Sequence, residues 1–155
     1  MLKAKSLLMT LLIILLGTSF AAFAESPKTL DLSHYKGQFV YLDFWASWCG
    51  PCRASFPWMN AMKKDFQDKG LAIVSVNLDA DREEADEFLA DFPADFEVIF
   101  DPSGKEAEKY KLLGMPNSFL FDPEGKLLFT HIGFNEKDAP ELRKKIADIL
   151  ANHTK

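Results

Sequence analysis

The chain has 155 residues, 48% of them apolar, with 18 basic and 23 acidic side chains and a net charge of −5. That length suits one ordinary domain, and the acidic balance argues against a nucleic acid or an anionic membrane surface as partner. There are only two cysteines, Cys49 and Cys52, so no second Cys-x-x-Cys is present to complete a tetrahedral metal site.

Residues 1–24 open with Lys3 and Lys5, continue as an apolar run from Leu7 to about Leu16, and reach Ala22-Phe23-Ala24, a small-x-small cleavage pattern. We read them as an export signal, leaving residues 25–155 as the working domain. The alternative is an uncleaved membrane anchor, because residues 7–24 carry no charge and approach the roughly 20 residues a spanning helix needs. This segment holds two of the 18 basic residues and none of the 23 acidic ones, so the remainder is more acidic than the whole.

Residues 39–46, FVYLDFWA, form an apolar and aromatic run of strand length broken only by Asp43, which predicts a buried central strand. Helical spacing of Phe56, Met59, Met62 and Phe66 predicts a helix over residues 51–69, closed by Gly70. A second buried strand is expected over 71–78 and an acidic amphipathic helix over 82–92. A short strand over 97–100 and a short helix over 106–113 follow. Strands over 117–121 and 127–132 flank Asp122-Pro123-Glu124-Gly125 and suggest an antiparallel hairpin, and a helix over 139–150 closes the chain. The hexapeptides FDPSGK and FDPEGK are best explained as two uses of one turn chemistry. The order predicts an α/β fold, a mixed central sheet with helices on both faces.

Export implies an oxidising compartment, in which the cysteine pair can persist as a disulfide. As a staple it would contribute little, roughly 2 kcal/mol for so short a loop. His34, His131 and His153 are dispersed along the chain and read as surface or loop residues rather than metal ligands. A reactive pair remains. Cys49 falls where a strand hands over to a helix, so unpaired N–H groups and the helix dipole favour its thiolate. Pro51 suits the first helical turn, where a missing N–H costs nothing. Cys49 is expected to be the exposed thiolate, and Cys52, one turn deeper, can attack a mixed disulfide formed at Cys49.

The run Asp43-Phe44-Trp45-Ala46-x-Trp48-Cys49-Gly50-Pro51-Cys52, with Pro57 beyond it, resembles thioredoxin, and the likeness continues through Gly114-Met115-Pro116 and residues 119–126 to Gly133. Within that superfamily it is most similar to exported TlpA/ResA-like thiol-disulfide oxidoreductases, on the export signal, the lead-in Leu32-Ser33-x-x-Lys36-Gly37 and the extra segment over residues 80–100. The resemblance implies a thioredoxin fold, no bound cofactor, a monomer, and exchange with protein thiols and disulfides. It also implies a membrane electron donor and targets such as apocytochrome c or metallochaperone disulfides. It assigns Cys49 and Cys52 as the redox-active pair, Asp43 as a buried proton acceptor for Cys52, and a cis bond between Met115 and Pro116 beside Cys49. Trp48, Gly50, Pro51, Met115 and Pro116 then support substrate binding, with Trp48 on an exposed rim.

Two departures stand out. Ser75 occupies the position where thioredoxins usually carry a lysine near the buried aspartate. The acidic residues and insertion of cytochrome-maturation members are lacking as well, while Gly50-Pro51 resembles the dipeptide of reducing thioredoxins. A dithiol that carries a soft metal such as Cu(I) is the alternative from a different class. A carrier would co-purify with copper at a fixed ratio, whereas an oxidoreductase would turn over without metal.

Overall fold

Seven consecutive buried residues, Phe39–Trp45, make β1, the middle strand of a five-stranded sheet in the order β3-β2-β1-β4-β5. The structure, a computed structural model, describes residues 29–153; the expected export signal lies outside the described residues. β1 pairs in parallel with β2 (Leu71–Asn77), which pairs in parallel with β3 (Glu97–Phe100). On its other side β1 runs antiparallel to β4 (Asn117–Phe121), and β4 forms a hairpin with β5 (Leu127–Ile132). The helices are α1 (Gly50–Phe66), α2 (Arg82–Asp91), α3 (Lys105–Tyr110) and α4 (Ala139–His153). The expected mixed sheet is therefore present, with every predicted strand and helix displaced by at most a few residues.

Period-two alternation divides β1 between two cores. Phe39, Tyr41 and Trp45 face a cluster containing both cysteines, Phe56, Met59 and Met62 of α1, Phe88 of α2 and Ile146 of α4. Val40, Leu42 and Phe44 face the opposite way, onto Val74, Val76, Ile99 and Phe119 under α3 and the segment before β1. At about 1.5–3 kcal/mol for each large apolar side chain taken from water, these clusters fix the register of the sheet.

Trp45 is held in a knot of aromatic rings, 4.7 Å from Phe56 and 4.6 Å from Phe88 between centroids, and its indole N–H donates to Ser75 Oγ at 3.2 Å. That anchors the end of β1, from which the cysteine loop departs. The two FDPxGK segments do share one device. The Asp101 carboxylate accepts from the Glu106 N–H at 2.7 Å at the start of α3, and Asp122 accepts from the Lys126 N–H at 2.7 Å across the hairpin turn. Gly104 and Gly125 both have positive φ, which L-residues rarely adopt.

Candidate active site

Cys49 is the N-cap of α1 and Pro51 lies in its first turn. The two cysteines are joined in a disulfide with their Cα atoms 5.3 Å apart. Cys52 is fully buried and Cys49 only 4% exposed, so the thiol expected to be exposed shows the solvent no more than an edge while oxidised. What it does border is a cleft of about 590 Å³, lined among others by Trp48, Gly50, Pro51, Leu112, Leu113 and Met115. The Met115–Pro116 bond is cis, as expected. Met115 thus meets Cys49 across this cleft, and among the described residues it makes no backbone–backbone hydrogen bond.

The rim of the cleft is apolar and uncovered. Trp48 is 67% exposed and Leu113 83% exposed. Ile132, also exposed, has a methyl carbon 3.5 Å from where a Cβ on Gly114 would stand, so it borders the same loop. Trp48 is therefore a rim residue and Trp45 a core residue. Leu113 and Ile132 escape a reading of the sequence, because only the folded chain brings Leu113 to the cleft that Cys49 lines and Ile132 against Gly114.

The loop between β1 and α1 is strapped down from β2. The Asp79 carboxylate, itself buried, accepts from the Ser47 N–H at 2.9 Å, the Ser47 hydroxyl at 2.9 Å and the Asn77 amide at 2.6 Å. A backbone bond from the Leu78 N–H to the Trp45 carbonyl, 2.9 Å, runs alongside. Each charge-assisted bond is stronger than a neutral one, and together they hold the turn that presents Trp48 and Cys49.

Asp43 is 1% exposed and lies on the cysteine-bearing face of the sheet, between its partners Ser75 on β2 and Ser118 on β4. Burial raises its pKa from 3.8 to about 7, against the lowering effect of a hydrogen bond from the Ser118 hydroxyl at 2.6 Å. Its second oxygen, Oδ2, has no hydrogen-bond partner among the described residues, so any link to Cys52 in the disulfide form is not a direct hydrogen bond. Ser75 sits directly beside Asp43, and among the described residues no cation contributes to the Asp43 shift. Ser118 is the partner the sequence concealed: it is an ordinary serine in a strand until the register with Asp43 is known. Among the described residues, no group of three or more His, Cys, Asp or Glu side chains is placed to hold a metal ion.

A central β1 that runs into α1 through a buried cysteine pair, with a cis-proline loop opposite, is the thioredoxin fold with its redox disulfide in place. The chain belongs to the redoxin family, whose model matches residues 16–146. It is related to ResA- and DsbE-type proteins. It is 35% identical over 110 residues to the thiol-disulfide oxidoreductase ResA of Bacillus subtilis, covering 71% of this chain and 62% of that protein. It also matches a crystal structure assigned as the thiol:disulfide interchange protein DsbE of Chlorobium tepidum, with 52% identity, a TM-score of 0.74 and coverage of 77% of this chain and 84% of that one. StoA of Bacillus subtilis gives 28% identity and a TM-score of 0.61, over 70% of this chain and 82% of that one.

Proposed function

We propose that this chain exchanges thiols for disulfides with extended cysteine-containing polypeptides outside the cytoplasm, acting as a reductant. The observation that carries the reading is the Cys49–Cys52 disulfide at the start of α1, opening on an apolar cleft. Relationship to ResA- and DsbE-type proteins supports an exported location. Among the described residues no helix is long and apolar enough to cross a membrane.

In the dithiol form, the Cys49 thiolate attacks one sulfur of a substrate disulfide, and the other sulfur leaves as a thiolate that takes a proton from water. Position at the helix N-cap favours the attacking thiolate. Cys52 then gives its proton to Asp43, and its thiolate attacks Cys49 Sγ. The second substrate sulfur departs and the Cys49–Cys52 disulfide closes. Two electrons have passed to the substrate, and a dithiol donor, membrane-bound in this reading, must return them. Asp43, ionised for half the population near its pKa of about 7, is poised to take that proton near neutral pH.

Gly50 and Pro51 keep the mouth of the cleft free of bulk, Trp48 forms one wall, and the backbone of Met115, before Pro116, offers a strand-like edge for pairing with the substrate. The test is a trapping experiment on metal-free protein. Cys52→Ser should accumulate mixed disulfides through Cys49, while Cys49→Ser should form none, and the wild type should catalyse reduction of insulin by dithiothreitol. Trapping through Cys52 would reverse the assignment. Inactivity without metal, together with stoichiometric copper in the purified protein, would replace exchange by metal carriage.

A further inference from the structure

Asp43 lies in the middle of the sheet, and a proton passing from Cys52 through it to water needs a path across the fold. The register lays out one row of side chains across all five strands on the cysteine-bearing face: Val98, Ser75, Asp43, Ser118 and His131. Toward β3 the row has no exit for a proton. Ser75 Oγ accepts from the Trp45 indole, and the next side chain, Val98, is apolar. Toward β5 the row stays polar: Ser118 bonds Asp43 at 2.6 Å, and its cross-strand partner is His131 on the edge strand, half-buried and open to solvent on one side. Paired residues on adjacent strands hold their Cβ atoms about 4.5–5.5 Å apart, within reach of an imidazole.

We propose that Ser118 and His131 form the exit path for the proton that Asp43 takes from Cys52, with His131 a relay residue acting through Asp43. The proposal rests on the exchange reading above. As Cys52 gives its proton to one oxygen of Asp43, the other oxygen passes one on to Ser118 Oγ, whose own hydrogen turns to a nitrogen of the neutral His131 ring. The imidazolium then releases a proton to water, and Asp43 is left as the carboxylate it was before the exchange.

The surroundings fit a ring that is neutral at rest. Burial and the Lys145 ammonium of α4 lower the His131 pKa, and Asp138, ahead of α4, opposes them. Lys145 lies 4.1 Å from the Phe129 ring centroid, two residues from His131 and on the same face of β5. Around Asp43 the facing groups are Tyr41 on β1, whose hydroxyl Ser118 also bonds, Ser75 on β2, Ser118 on β4 and the cysteines of α1. Tyr41 is fully buried with a strongly raised pKa and stays neutral throughout.

The test is stopped-flow reaction of the reduced protein with Ellman's reagent. The first equivalent of released thionitrobenzoate reports attack by Cys49, and the second reports closure by Cys52. His131→Gln is expected to leave the first phase unchanged and to slow the second roughly tenfold between about pH 6 and 8, less than the ~10²–10⁴-fold that a general base itself supplies. Added imidazole should restore it. Ser118→Ala should slow the same phase and Ser118→Thr should not, which separates loss of the hydroxyl from damage to the strand. A second phase at the wild-type rate in His131→Gln, or one slowed but deaf to imidazole, overturns the relay. Absence of the second phase in the wild type would instead overturn the exchange reading.

Discussion

The two faces of the central sheet are built from the same strands and do different work. On the face away from the cysteines, Val40, Leu42, Phe44, Val74, Val76, Ile99 and Phe119 make an apolar layer. On the cysteine face the layer is interrupted where β1, β2, β4 and β5 contribute Asp43, Ser75, Ser118 and His131 in one row. One face supplies stability without chemistry. The other gives up apolar burial to place a titrating carboxyl behind a disulfide, and the apolar face offsets that loss.

Truncation on the stabilising face should have the largest effect. Leu42 is fully buried there, so Leu42→Ala should cost about 2–5 kcal/mol in urea denaturation, while both phases of the Ellman's reaction keep their rates in the protein that remains folded. A change in rate as large as the change in stability would show that the two faces are not separable.

Asp43→Asn should act in the opposite direction. The folded-state pKa of about 7 lies above the ordinary 3.8, so the stability linked to the neutral carboxyl is fully present below pH 3.8 and is lost as pH rises through 7. The oxidised wild type should therefore lose stability between those values, and the asparagine variant should not. The two should match near the acid end and differ by a few kcal/mol above pH 7, with the variant the more stable. The variant should at the same time close its mixed disulfide more slowly near neutral pH. Parallel stability profiles would mean that Asp43 carries no unusual charge cost.

The smallest effect belongs to the rim. Leu113→Ser should lower the second-order rate with a disulfide peptide flanked by leucine or phenylalanine about tenfold, on the order of 1 kcal/mol, relative to one flanked by glycine and serine. Equal losses with both peptides would remove Leu113 from substrate selection.

How far such contrasts can be read from the sequence depends on the range of the interactions behind them. The strands, α1 and the placement of Cys49 at a helix start follow from local periodicity and from Pro51. The burial of Asp43 follows from its isolation in an apolar run, and the cis bond before Pro116 followed from the family likeness alone. Ser118 and His131 were not legible, because their meaning lies in cross-strand register: Ser118 is 75 residues from the carboxylate it bonds. His131 read as a dispersed surface histidine, and only the pairing of β4 with β5 turns it toward the cysteine-bearing face. The Asp79 strap was equally hidden, as a carboxylate just beyond a strand end that proves to be bonded to a loop 32 residues away.

The collar formed by Trp48, Leu113 and Ile132 also bears on how copies of this chain meet one another. A ring of uncovered apolar side chains is self-adhesive. Beside Trp48, however, the surface carries Glu84, Glu87 and Asp91, with Arg53 the cation among them, on a chain of net charge −5. Two copies approaching collar to collar bring like charges together first, since repulsion is felt over roughly 8 Å at physiological ionic strength, whereas apolar surfaces attract only near contact. A neutral or basic polypeptide meets no such barrier. The collar is thus kept from coating itself at high concentration, and raised salt, by screening that repulsion, should push the protein toward reversible self-association.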